Sequence, residues 1–476
     1  MITKYEKLKT FGLIIIGSIL CANHKIEATD LVEGITQKQF NIVTVTRQKI
    51  VQYDEPLLLN EIFVLFKNID NILGGGCFTF EYINYAFSWI SNFYCNELTD
   101  RAIDKISNQH ITQYHSSLYS KLIPKKEERQ QIQQLLTTLP EGPSEQQFKS
   151  QIRSIFSHMN KKIGEKLNQT TSFDRSMLDL KKPTLLVFQE SIFSQRYLLN
   201  DEYINFIIEL CKKLTLFYNI SVHVNLLHQF DSNSCPSWIK KAQKVEEIEI
   251  NSKKEDTGTT VANYSLIISG GEVTYVYIKT EQDGTLKEDG ADLFIEKKFK
   301  LKSGKLKWQD LDSNLNFCKK IATRICADMN LLVDKNCKYT VALEDLDTDG
   351  ILIIQSNTFD LFNIKDAIIR RKKDNDESYL NRFIIHCDPV NGASVFKITE
   401  EEKIMACPPI NSEKWPQYSQ EYKNVNIRIP SGIEIDVNNE DCTKKSKNGK
   451  LFYMNVWSFN GDPDNLQELK DECRKQ

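Results

Sequence analysis

The sequence predicts an α/β fold with an added, largely helical block, on three observations. First, QFNIVTVT (Gln39–Thr46) is β-branched and alternates as a strand does, and apolar residues then recur at helical spacing from Pro56 to Leu73. Second, PTLLVF (Pro183–Phe188) is a short continuous apolar run of the kind found in strands buried on both faces. A helical pattern (Asp201–Tyr218) and another strand pattern (Asn219–Leu227) follow it. Third, residues 75–180 between these regions are mainly helical and polar, with the charged run PKKEERQQIQQLL and a loop at LPEGPSEQ.

The remaining elements follow in order. Gly74, Gly75 and Gly76 stop the first helix. The aromatic stretch Phe78–Tyr94 reads as a buried helix. Several strands are expected between Asn263 and Leu301, punctuated by Gly270–Gly271 and Asp283–Gly284. Strands follow at Ile321–Cys326 and Ile351–Gln355, then a helix near Ile364–Lys372, then strands at Phe383–Cys387 and Ala393–Ile398. The tail after Trp415 reads as irregular, with short strand candidates at NVNIRIP and LFYMNVW.

Bulk properties narrow the function classes. With 41% hydrophobic and 26% charged residues, the 476-residue chain is an ordinary folding sequence. A net charge of -3 gives no basic surface for nucleic acid. Lys4, Lys7 and Lys9 precede an apolar run from Phe11 to Leu20, the pattern of a secretory signal peptide ending near Ala22. That run is too short for a stable membrane span, which needs about 20 apolar residues. Twelve cysteines are present. With Cys21 in the leader and one kept for chemistry, ten could form disulfides in an oxidising compartment. Asn168, Asn219 and Asn263 begin Asn-x-Ser/Thr sequons.

No metal or cofactor is expected. His223 and His228 are five apart on one strand and so lie on opposite faces. DLDTDG (Asp345–Gly350) resembles the start of a calcium loop, but its twelfth position is Ser356 where a bidentate Glu is needed.

Three local patterns could carry chemistry. LLVFQES puts Glu190 just past a buried strand. FIEKKFKL carries Lys297 and Lys298. ATRICADMN ends an apolar strand on Cys326, with Asp328 two residues on. A thiol near pKa 8.5 is mostly protonated at neutral pH, so it needs a base before it can attack an acyl or nitrile carbon. A carboxylate can take that proton and pass it to the departing amine. A fixed ammonium can hold the oxyanion as it forms.

In order and setting, these pieces resemble the nitrilase, or carbon–nitrogen hydrolase, superfamily. Its pattern has a Glu after an apolar strand, a Lys shortly followed by an apolar position, then Ile-Cys-x-Asp/Glu. Here these stand as VFQES, KFKL and ICADM. Downstream, DTDGILIIQSNTFD looks like the family's strand after the cysteine, and FIIHCDPVNGASVF like its late turn, at Asn391, Gly392 and Ser394. Gln189 stands where the family usually has Pro.

The resemblance implies an α-β-β-α sandwich with a helical insertion, and catalytic Glu190, Lys298 and Cys326. Lys298 is preferred over its neighbour Lys297 and over Lys279. Leu301 follows it at the expected offset, and Asp283–Gly284 supplies the preceding hairpin. Lys279 is the alternative, because GGEVTYVYIKT also resembles the family's strand ending in Tyr-x-Lys. The expected organisation is a signal peptide at 1–22 and a first strand and helix at 35–74. The insertion takes 75–180, the rest of the domain 181–410, and a C-terminal extension 411–476. The implied partner is a small-molecule amide or nitrile, with subunits pairing as a homodimer through the helical face. A fold kept as a scaffold without turnover, or an acyltransferase using the same cysteine, are the alternatives.

Overall fold

The computed structural model describes residues 39–47, 57–107, 182–194, 199–231, 236–239, 248–250, 259–279, 299–301, 309–310, 320–326, 350–356, 364–366, 368–369, 380, 382–389, 392–406, 422–429, 450–460 and 467–468, with isolated residues between 146 and 154. In chain order the elements are β1 (Gln39–Arg47), α1 (Leu59–Ile72), α2 (Phe80–Ser107), β2 (Thr184–Phe188), α3 (Asp201–Phe217) and β3 (Ile220–Asp231). Then come β4 (Ile248–Ile250), β5 (Thr259–Ser269), β6 (Glu272–Ile278), β7 (Phe299–Leu301), β8 (Gln309–Asp310), β9 (Lys320–Ile325) and β10 (Gly350–Gln355). The last are β11 (Phe383–Asp388), β12 (Gly392–Ile398), β13 (Ile404–Ala406), β14 (Tyr422–Ile429), β15 (Lys450–Asn460) and β16 (Gln467–Glu468).

These strands form an α/β structure with two seven-stranded sheets. The first runs β14-β15-β1-β2-β3-β5-β6 and the second β16-β13-β12-β11-β10-β9-β8. In the first, β1, β2 and β3 are parallel, and in the second so are β9, β10 and β11. Parallel strands are buried on both faces, and β1 shows how its polar residues tolerate this. Asn41 Nδ2 donates to Thr184 Oγ1 at 3.0 Å, and Asn41 Oδ1 accepts from Ser458 Oγ at 2.7 Å. The sheets pack on each other through Phe40 and Phe383, whose rings lie 5.7 Å apart edge to face. The Cys387 thiol also reaches the carbonyls of Val45 and Val187.

Within the region expected to be a C-terminal extension, β14 and β15 belong to the first sheet and β16 to the second. β15 pairs with the whole of β1 from Gln39↔Asn460 to Arg47↔Phe452. Asn424–Ile429 of NVNIRIP fall within β14 and LFYMNVW within β15, so the segment is not an irregular tail there. Without β15 the unpaired edge of β1 would expose its backbone groups beside a buried core.

Helices α1 and α3 cover the first sheet. α3 starts on Asn200, whose side chain accepts from Tyr203 N at 3.1 Å, with Asp201 and Glu202 in its first turn. α1 is buried nearly all round, because α2 covers its other side. Phe63 meets Phe78 and Phe87, while Phe66 packs on Phe188 and Phe193 below. Charged residues buried on α1 are paired: Glu61 accepts from Leu58 N at 2.8 Å and Lys67 donates to Asp70 at 2.7 Å. Among the described residues, no helix is long and apolar enough to cross a membrane.

Asp70, fully buried, locks the exit from α1. Its carboxylate accepts from Lys67 Nζ at 2.7 Å, Cys77 N at 3.0 Å, Phe78 N at 3.3 Å and the Tyr218 hydroxyl. The chain reverses through Gly74, Gly75 and Gly76, with φ of 115°, 76° and 100°, a region that side chains disfavour. Asp70→Ala would leave the buried Lys67 ammonium and two backbone donors without their acceptor. Destabilisation of about 3–5 kcal/mol is expected in denaturant titrations, and a loss under 1 kcal/mol would refute this role.

His223 joins the sheets, with Nε2 2.9 Å from Thr323 Oγ1. Burial pushes its pKa down to about 3 from 6.5, so it is neutral in the folded state. Below pH 6.5 the unfolded chain binds a proton that the folded chain refuses, so acidification destabilises the fold. The expected loss is about 1.4 kcal/mol per pH unit down to about pH 3. His228, held down to about 4 by burial against the opposing pull of Asp201, adds to it. His223→Gln should have a shallower fall in urea midpoint over this range than the parent chain, and equal slopes would rule the effect out.

Four of the ten cysteines expected to be available for disulfides are buried thiols: Cys77, Cys95, Cys211 and Cys387. Five bridges therefore do not form. The physical reason is that these cysteines serve as small apolar core residues. The other six lie outside the described residues.

Candidate active site

Three strand ends build the site. The first carries Glu190, just past β2. Gln189 N donates to Val45 O at 3.1 Å, and Gln189 Oε1 accepts from Arg47 N at 2.6 Å. A proline at 189 would have no N–H for the first of these bonds. Ser191 then turns out of the strand at φ 54°. Glu190 is only 5% exposed.

The second strand end carries Lys279, directly after β6. Its backbone N–H bonds Asn263 O at 2.8 Å, extending the hairpin with β5 by one residue. Its ammonium lies 2.9 Å from Glu190 Oε1, with both side chains buried. The register explains the meeting. β2 and β3 are parallel with Val187↔His223, β3 and β5 pair Leu227↔Asn263, and β5 and β6 pair Tyr264↔Ile278. Glu190, Asn263 and Lys279 therefore meet at one end of the sheet, and Asn225 sits two residues along β3 from Leu227, the partner of Asn263.

Cys326 directly follows the third strand, β9, and there the backbone turns at φ 42°. That left-handed conformation costs a non-glycine residue roughly 1–2 kcal/mol, and such strain gathers at functional sites. Cys326 is tied to the same end of the molecule as Glu190 by two contacts. Its preceding residue, Ile325, is the register partner of Gln355. Gln355 donates to Phe188 O, two residues before Glu190, and accepts from Ser265 Oγ, two residues after Asn263. Arg324, two residues before Cys326, sets its guanidinium 6.0 Å from the ring of Tyr277, two residues before Lys279.

Burial raises the pKa of three of the described thiols elsewhere. Burial, and then the Asp70 charge, pushes Cys77 up to about 12. Burial raises Cys211 and Cys387 well above the usual thiol range too.

Lys297, Lys298, Asp328 and Asn391 lie outside the described residues. β7, which follows Lys298, pairs with β4 in a separate two-stranded sheet. Gly392 and Ser394 are in β12, opposite Asp388 and His386. Ser356, the twelfth position of the calcium-like pattern, is buried at the end of β10 against His386 at 2.9 Å and Asp388 at 2.6 Å. Sequence reasoning missed Asn225, Asn263 and Gln355 as site residues. The available signal was an amide side chain inside or ending an otherwise apolar strand.

Chemically, Glu190 Oε1 is held by two donors, Lys279 Nζ and Asn263 Nδ2. Among the described residues Oε2 is buried and accepts no hydrogen bond. A buried carboxylate oxygen with open lone pairs is suited to receive a proton.

No family model matches the chain, and no curated protein matches its sequence. Solved structures do match. Among the solved structures this chain resembles are amidases and a CN-hydrolase superfamily protein. An amidase from Nesterenkonia sp. AN1, in complex with acrylamide, shares 9% identity over 48% of this chain and 75% of its own, with a TM-score of 0.28. A CN-hydrolase superfamily protein from Xanthomonas campestris, with an arsenic adduct in its active site, shares 11% over 48% and 78%, with a TM-score of 0.23. A glutamine-dependent NAD+ synthetase from Acinetobacter baumannii shares 13% over 54% of this chain, at a TM-score of 0.29, and this chain spans 41% of that one. At these TM-scores, likeness to a carbon–nitrogen hydrolase assigns no residue a role, and the site is read from its own geometry.

Proposed function

We propose that the chain is an exported carbon–nitrogen hydrolase of amidase type, built on an α-β-β-α sandwich, that cleaves a non-peptide carboxamide or nitrile through a thioester on Cys326. The observation that carries this reading is the buried Lys279–Glu190 pair at the strand ends tied to Cys326. Lys279 takes the oxyanion role here because of its contact with Glu190.

For an amide, Glu190 Oε2 accepts the Cys326 thiol proton, and the thiolate forms a bond to the carbonyl carbon. The carbonyl π electrons move to oxygen, and the oxyanion is held by the Lys279 ammonium. The C–N bond breaks as Glu190 returns the proton to the departing nitrogen, releasing ammonia or an amine. Glu190 next takes a proton from water, and the hydroxide adds to the thioester. Collapse expels the Cys326 thiolate, which recovers the proton. The net reaction is amide plus water to acid plus amine.

A panel of small amides and nitriles, with ammonia or amine release as the readout, tests this reading. Release that matches acid formation supports hydrolysis. Acyl products on an added amine would point to transfer from the same thioester, and no turnover on any member would favour a scaffold. Export belongs to the same reading, supported by the Lys4–Ala22 leader pattern, and mature chains that start near residue 23 are its check.

A further inference from the structure

Glu190 and the residue after it close a ring of hydrogen bonds. Ser191 N donates to Asn225 Oδ1 at 2.8 Å, Asn225 Nδ2 donates to Asn263 Oδ1 at 2.8 Å, and Asn263 Nδ2 donates to Glu190 Oε1 at 3.1 Å. Neither amide can be turned over without loss. Asn225 Oδ1 faces a backbone N–H, while its Nδ2 also faces Tyr264 O at 3.2 Å and Ser265 Oγ at 3.3 Å. With Asn225 so fixed, Asn263 must present its oxygen to Asn225 and its nitrogen to Glu190.

The ring breaks a symmetry. The last torsion of a glutamate is broad and two-fold, so its two oxygens exchange readily. One ammonium beside a carboxylate cannot distinguish them. Lys279 and Asn263 together occupy Oε1 from two directions and leave Oε2 open among the described residues. We propose that Asn263 is a positioning residue, held by Asn225, that selects Glu190 Oε2 as the oxygen that exchanges protons with Cys326. This rests on the reading of Glu190 as the base for Cys326.

The test uses the full chain and iodoacetamide, with alkylation of Cys326 followed on the tryptic peptide 325–335 across a pH series. Asn263→Asp keeps the shape of the side chain and removes the donor. Asn225→Ala breaks the ring one bond further back and decides the matter if the first variant does not fold. Each should slow alkylation at neutral pH by about ten- to a hundredfold and move its midpoint to higher pH, separately from any fall in the melting curve caused by the lost hydrogen bonds. A residue that only supported the fold would move the melting curve and leave the pH profile in place. If Glu190→Gln alters the profile and both asparagine variants keep the parent profile, the proposal is overturned. If Glu190→Gln itself keeps the parent profile, Glu190 is not the base, and the proposal falls with that reading.

Discussion

Cys326→Ala is expected to stop turnover while leaving the chain folded. The loss should be at least roughly 10⁴-fold, the scale on which removing a nucleophile acts when the rest of its machinery has no other route to a covalent intermediate. Labelling of peptide 325–335 by electrophiles should vanish with it. The fold should tolerate the change, because cysteine and alanine bear a similar burden at φ 42° and the lost sulfur is small. Circular dichroism and a melting curve close to the parent's are the controls. Undiminished ammonia release in a folded variant would eliminate the thioester mechanism.

Lys279→Met should fail in two separable ways. The first is catalytic: losing the cation at the developing oxyanion should lower kcat by about 10²- to 10³-fold. The second concerns stability. Glu190 would stay buried with its ionic partner gone, a situation that typically costs about 3–5 kcal/mol. The two effects separate in the double variant Lys279→Met with Glu190→Gln, which removes the charge left behind. It should recover much of the stability in denaturant titrations and none of the activity. A single variant that is as stable and as active as the parent would remove Lys279 from the site.

What could be read in advance depended on how local the signal was. Glu190 and Cys326 each stand just past a strand within a short string, so both were legible as strand-end groups. The lysine was not, because the local strings favoured Lys298, with Leu301 at the expected offset, over the Tyr-x-Lys string that ends at Lys279. The register of β3, β5 and β6 brings Lys279 to Glu190 across 89 positions, and no local pattern encodes it. The same holds for β15. Its strand character was legible in LFYMNVW, but its pairing with β1 spans most of the chain and is a property of the closed sheet. Asn225 and Asn263 were harder still. A polar residue in an apolar strand reads as a flaw until its partners are known, and those partners come from β3, β5 and the residues after β2.

Asn263 also opens the Asn-Tyr-Ser sequon, and the nitrogen that would carry a sugar is the one donating to Glu190. In a compartment that attaches glycans, pairing of strands β3, β5 and β6 competes with oligosaccharide transfer for a single atom. A chain whose strands pair first has withdrawn the acceptor into the site. One glycosylated earlier keeps a single N–H on that nitrogen and must seat the sugar beside the buried Glu190. Asn219 faces no such contest, because it lies exposed at the turn before β3. Folding speed would thus decide which emerging chains are competent, before any substrate is met.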